Sequence, residues 1–204
     1  MRYPKDHGQQ TRRRIVENAS YGLRQNGVDG LSVADLMKLA GLTHGGFYAH
    51  FKSRDALVVE ALALAMDRTV AHWLDLTHGL SAEKGFDAVV ESYLSFRHRN
   101  NPARGCALPA LASDIGRSGP EARRTFAGRL EQMIDIIARL VPKRSSADAR
   151  QAAAGAIATL VGSIVLARAA GDKRLSDALL EAGRQALRNQ AASTAREACP
   201  VDRI

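Results

Sequence analysis

Thr43, His44, Tyr48 and Lys52 fall within the stretch GLTHGGFYAHFK at 41–52, where Phe47 and Phe51 stand four residues apart. On a helix the two phenylalanines share one face, and the four polar side chains lie largely on the solvent side. These residue types offer recognition chemistry. The Tyr48 phenol can donate to a phosphate oxygen and Lys52 brings a point charge to the same task, and neither contact specifies a base. His44, near the helix start, is the candidate reader of a base edge; an exposed polar residue at a helix start is the plainer alternative. His50 either packs sideways or approaches a nucleic-acid backbone. Gly45 and Gly46 are the anomaly, because each costs a helix about 0.8–1 kcal/mol relative to alanine. A residue without Cβ lets the backbone come close to a sugar-phosphate surface, with the lost propensity recovered by packing Phe47 and Phe51. Otherwise the glycines are merely tolerated between aromatic anchors.

Nothing elsewhere in the chain competes as a reactive centre. Asp114, Glu121 and Glu131 are present, but paired acids identify no reaction without geometry, and no nucleophile elbow, zinc-hydrolase helix or nucleotide-binding loop occurs. His44, His50 and His72 lack a regular spacing with cysteine or acidic partners, so neither a metal nor a cofactor is expected. Cys106 and Cys199 form no disulfide framework. The chain has 204 residues, 46% of them hydrophobic, and a net charge of +8, a bias that favours polyanionic partners without identifying one. Arg12, Arg13 and Arg14 stand together just before the first apolar pattern. The apolar run at 157–170 is too short for a membrane span and contains Arg168, and the basic start lacks the apolar core of a secretory signal, so a cytoplasmic protein is expected.

The elements that must position the 41–52 stretch are helices. From Thr11 to Asn26, Ile15, Val16, Ala19 and Leu23 recur at helical spacing, while Arg14, Glu17 and Arg24 point elsewhere. Gly27 and Gly30 bracket a tight turn. Ser32 is placed to cap a second helix at about 33–40, with Asp35 in its first turn, although a reciprocal box usually has Glu or Gln there. Thr43 is placed to cap a third. Two short helices joined by a glycine-containing turn make the helix-turn-helix arrangement, whose second helix enters the major groove of DNA. Ser53 caps a fourth helix reaching about Leu76. Further helices are expected at about 82–98, 108–115, 121–140, 147–170 and 175–192, with Pro142 ending one of them. The chain reads as all-α, with a three-helix unit at 1–52 and a larger helical domain at 53–204, the helix at 53–76 serving as connector.

The ordered string from Thr11 to Leu57 resembles the DNA-binding domain of the TetR family of bacterial transcriptional regulators. The match is carried by Gly27, Ser32-Val33, Ala40-Gly41-Leu42, Phe47-Tyr48, His50-Phe51-Lys52 and Asp55-Ala56-Leu57. Many relatives have alanine, serine or threonine after a single glycine where this chain has Gly45-Gly46, so base contacts of that second side chain do not transfer to Gly46. The resemblance implies Arg12, Ser32, Thr43, His44, Gly45, Gly46, Tyr48, His50 and Lys52 as the DNA-binding set. It also implies a homodimer on double-stranded operator DNA, released by a small-molecule effector.

Trp73, Phe86, Tyr93, Phe96, Leu111 and Phe126 come from helices that surround the effector cavity in this family, and most aromatics at such spacing are otherwise core. Cys106 joins these candidates because an oxidant or electrophile acting on it would move the following helix; a small buried hydrophobe is the ordinary alternative. The small and apolar residues from Ala152 to Ala167 suit either a buried helix or a two-fold contact. Family resemblance favours the dimer, with Ala156, Leu160, Gly162, Ser163, Leu166 and Leu179 as interface candidates. An architectural DNA-binding protein without an effector, or less readily a helical enzyme, is the alternative function.

Overall fold

A computed structural model describes residues 5–141 and 145–198, and every regular element among them is helical. The order is α1 (Lys5–Asn26), α2 (Val33–Leu39), a 3-10 helix (His44–Ala49), α3 (Arg54–Thr77), α4 (Ala82–Tyr93), α5 (Phe96–Asn100), a 3-10 turn (Pro102–Arg104), α6 (Leu108–Arg117), α7 (Pro120–Leu140), α8 (Ser146–Ala169) and α9 (Lys173–Ala198). Pro142 and Cys199 lie outside the described residues.

Local chemistry explains most of the boundaries. At α2 the Asp35 N–H donates to Ser32 Oγ at 3.2 Å and the Ser32 N–H donates to Asp35 Oδ2 at 2.9 Å. Aspartate thus completes a reciprocal box that usually carries the longer Glu or Gln. Ser53 Oγ accepts the Ala56 N–H at 3.1 Å and Ser145 Oγ accepts the Asp148 N–H at 3.1 Å, capping α3 and α8. Pro120 opens α7 at the one turn where a missing N–H costs nothing.

The helix expected at 82–98 is two helices. Leu94 ends α4, and its carbonyl accepts from Arg184 instead of continuing the helical ladder. Ser95 Oγ donates to the Ser92 carbonyl at 2.8 Å and accepts the His98 N–H at 3.2 Å, so a new helix starts at Phe96. Periodicity could not show this break, because the apolar spacing runs through it.

By its contacts the chain forms two compact units, one of Met1–Thr69 with Asn101–Arg129 and one of Val70–Asn100 with Leu130–Ile204. In the first, Ile15, Ala19, Leu23, Leu36, Met37, Phe47, Leu57 and Leu62 are fully buried. Arg24, expected away from the core face of α1, is buried with them. Gly27 adopts φ +81°, and a Cβ there would come 3.0 Å from Asp114 Oδ2, so both the turn and the approach of α6 require glycine.

In the second unit α8 packs along α9. A Cβ on Gly183 would collide with the Ser163 side chain, so the two helices pass close to each other there. Contrary to the expectation from the sequence, α8 from Ala147 to Ala169 is long and apolar enough, by length and composition alone, to cross a membrane. Ala153, Ala156, Leu160 and Ile164 are nonetheless buried inside the protein, as in a core helix.

His98 gives this unit a pH dependence. Burial holds its imidazole down to about 4 from an ordinary 6.5, Arg168 and His72 add to the depression, and the Tyr93 carbonyl, 2.7 Å from Nδ1, acts against it. The unfolded chain therefore takes up a proton in a window where the folded chain does not. Stability is fully present above the ordinary value and falls as pH drops from about 6.5 towards 4. Urea unfolding of His98→Gln is expected to show a shallower loss across that window than the wild type; equal slopes would remove His98 as the cause.

Candidate nucleic-acid interface

The 41–52 stretch folds as a six-residue 3-10 helix, His44–Ala49, and not as the α-helix its spacing suggests. Two adjacent glycines weaken α-helical order, and Thr43, extended at the N-cap position, makes no side-chain cap bond, contrary to its expected role. The element is held by its aromatics. Phe47 is fully buried, stacks on Phe51 with centroids 5.7 Å apart, and meets Tyr48 edge-on at 5.2 Å.

Thr43, His44, Gly45 and Lys52 are exposed, and Tyr48 is 70% exposed. They form a polar edge opposite the Phe47 anchor. A Cβ built on Gly45 meets nothing within 4 Å, and one on Gly46 makes only ordinary contact with Met37 Cε at 3.7 Å. Neither residue has a positive φ. Among the described residues, nothing inside the protein demands glycine at 45 or 46.

Three long-range contacts fix the orientation of this edge, and local spacing signals none of them. Both terminal nitrogens of Arg12 donate to the Glu60 carboxylate, Nε donates to the His50 carbonyl at 3.4 Å, and the guanidinium lies 4.6 Å from the Phe51 ring centroid. Arg12 therefore ties α1 to α3 and to the end of the 3-10 helix. Arg54 donates to the Val28 and Leu31 carbonyls, the latter at 3.0 Å, holding the turn between α1 and α2. Asp114 of α6 accepts the Val28 N–H at 2.8 Å across 86 positions. Ser32 is exposed but has its hydroxyl engaged by Asp35 at 2.5 Å, and half-buried His50 contributes its carbonyl to Arg12.

The other candidates divide between the units. In the second, Trp73 and Tyr93 pack edge to face at 5.9 Å and Phe86 is buried. Phe96 is 52% exposed under Arg99 and Lys173, so it lies at the surface of its unit and not among these aromatics. Cys106 and Leu111 are buried in the first unit and Phe126 is half-buried. Of the interface candidates, Ala156 and Leu160 are buried, and half-buried Ser163 lies beside Gly183. Leu166 is 56% exposed, with Val165 and Leu175 also exposed and Gly162 and Leu179 half-buried.

Residues 15–61 match the family model for bacterial regulatory proteins of the tetR family, and residues 83–183 match that for the tetracyclin repressor-like C-terminal domain. Over 72 residues the chain is 36% identical to the HTH-type transcriptional regulator TtgR and likewise to the probable HTH-type transcriptional regulator ArpR, both of Pseudomonas putida. That match spans 35% of this chain and 34% of each relative, about a third of their length. Among solved structures, the reduced form of NemR from E. coli is similar with a TM-score of 0.76 at 17% identity, covering 88% of this chain and 96% of that one. A TetR transcriptional regulator from Chloroflexus aurantiacus is similar with a TM-score of 0.76 at 23% identity, over 91% and 98% of the two chains. At these identities the structural likeness concerns the fold.

Proposed function

The chain belongs to the tetR family of bacterial regulatory proteins, and from that premise we propose that it is a cytoplasmic, ligand-responsive transcriptional repressor that binds a palindromic operator as a homodimer. The observation that carries this reading is the exposed edge of Thr43, His44, Tyr48 and Lys52 beside two glycines, 45 and 46, for which the described residues show no internal need. Such an edge fits close backbone approach to a duplex. Tyr48 and Lys52 hold phosphates, and His44 meets base edges. Residues 1–52 act as the DNA-binding domain and residues 53–204 as the effector and dimer domain, connected by α3.

Selection of genomic duplexes by the purified protein supplies the operator. Lys52→Ala is then expected to weaken binding across sequences and to reduce the salt dependence by about one phosphate contact, whereas a change at His44 alters sequence preference more. An unchanged salt slope would take Lys52 off the phosphate.

The dimer is proposed on the exposed apolar positions Val165, Leu166 and Leu175 of α8 and α9. Leu166→Glu places charge on that face and is expected to shift the protein towards monomer in light scattering. A wild-type protein that is already monomeric at micromolar concentration would contradict the assembly. The effector is proposed to be an apolar or amphipathic small molecule that binds the C-terminal helices and prefers a different conformer from the one DNA prefers; a ligand with equal affinity for both conformers shifts nothing.

A further inference from the structure

Tyr21 lies among three cations. The guanidinium carbons of Arg24, Arg68 and Arg104 stand 5.3, 5.3 and 5.6 Å from its ring centroid, and all four residues belong to the first compact unit. Arg68 is satisfied, donating to the Tyr21 hydroxyl at 2.9 Å and pairing with Glu17. Arg104 is exposed to water. Arg24 differs from both. It is 4% exposed, and neither its Nε nor its Nη2 has a hydrogen-bond partner among the described residues. Nε–H and Nη2–H are the parallel, in-plane donors on one edge of the guanidinium, the edge that meets both oxygens of a carboxylate or phosphate. Arg24 thus presents a complete fork without an acceptor.

A third donor stands on the same face of α1. Ser20, one turn earlier, is 1% exposed, and its hydroxyl likewise has no partner among the described residues. Helical side chains lean towards the N-terminus, so Arg24 lies back over the turn that carries Ser20. Burial and then Arg68 bring Arg24 down to about 10, while Tyr21 and Cys106 act against them, so it remains a cation at neutral pH. A buried cation beside a second cation, with its fork unmet, is costly. Water meets the donors but not the charge; an anion with two oxygens meets both.

We propose that Arg24 binds a small oxyanion, a carboxylate or a phosphate, through Nε and Nη2, with Ser20 donating a third hydrogen bond. The cluster reaches solvent through exposed Arg68 and Arg104, which gives the anion a path in and a positive field to follow. Arg104 ends the 3-10 turn that packs against α1, so negative charge at the fork draws that turn and α1 together. Asp114 of α6 holds the Val28 N–H just beyond the end of the same helix. Occupancy of the fork therefore biases how α1 sits under the polar edge. That consequence, a change in duplex affinity, rests on the regulator reading; anion binding does not.

The test uses the full-length protein at neutral pH under reducing conditions, with sodium acetate and sodium phosphate as probes and sodium chloride at matched ionic strength as the reference. Acetate, phosphate or both are expected to raise the wild-type Tm by about 3 °C or more beyond any rise in Arg24→Met, a comparison that removes general salt effects. Arg24→Met is expected to be at least as stable as the wild type in chloride, a crossing that a merely structural arginine would not produce. Arg24→Lys keeps the charge and loses the fork, and is expected to bind about tenfold or more weakly. A response to acetate alone makes carboxylates the ligand class and a response to phosphate alone makes it phosphates; either upholds the site. The same response to chloride as to both probes, or binding by Arg24→Lys equal to the wild type, overturns it. Should the variants fail to fold by circular dichroism, the Arg24 Nε–H resonance of the wild type, assigned through bonds, decides. A saturable shift with acetate or phosphate and none with chloride supports the proposal, and no shift overturns it. Binding of the selected duplex is read in parallel. Fork-dependent anion binding by a protein that binds no DNA upholds the site and removes the regulator reading.

Discussion

Phe47→Ala is expected to lower the free energy of unfolding by about 3–5 kcal/mol, the usual cost of emptying a fully enclosed phenylalanine site, and to abolish specific DNA binding. Phe47 is completely buried against Phe51 and is the only buried residue of the 3-10 helix. That helix lacks both a side-chain cap and good intrinsic propensity, so packing is its main support. Chemical denaturation measures the stability change and a duplex titration measures the binding. Near-wild-type stability would mean that the 3-10 helix is held by something other than its aromatic anchor.

Gly45→Leu separates the needs of the fold from those of the complex. Space is open around Gly45 and its φ is not positive, so a larger side chain should leave stability unchanged or raise it by up to about 1 kcal/mol. Affinity for the selected duplex is nonetheless expected to fall by on the order of tenfold or more, about 1.4 kcal/mol or above, because the side chain occupies the gap through which the backbone approaches DNA. Gly46→Ala, which gains only ordinary contact with Met37, should show a smaller loss. A Gly45→Leu protein that is stable and binds as the wild type does would show that the glycines are there for another reason.

What the sequence revealed and what it hid have a common physical origin. The helices of the first unit were legible because Ile15, Ala19, Leu23, Leu36 and Met37 repeat at the period of the element they belong to, and serines at 32 and 53 mark starts by local hydrogen bonds. The polar edge was legible because Phe47 and Phe51 define its opposite face. The 3-10 geometry was hidden, since two glycines within a short aromatic segment are compatible with either helix type. Also hidden were the ties from Arg12 to Glu60, Arg54 to Val28 and Leu31, and Asp114 to Val28. Each joins residues at least 23 positions apart, and no periodicity reports on such pairs. Arg24 was misplaced for a similar reason: a charged residue off the apolar stripe reads as solvated until a tertiary neighbour covers it.

Competition between two duplexes tests the central claim most directly. One is the site selected from genomic DNA by the wild-type protein; the other has the same length and composition with its bases shuffled, and both are titrated at physiological salt. A reading edge built from His44, Tyr48 and Lys52 over close-approaching glycines predicts that the selected site binds on the order of a thousandfold tighter or more, and that Gly45→Leu loses most of that margin. Equal affinity for the two duplexes would leave only the attraction of a basic protein for DNA and contradict the assignment of the 44–49 helix as a sequence reader.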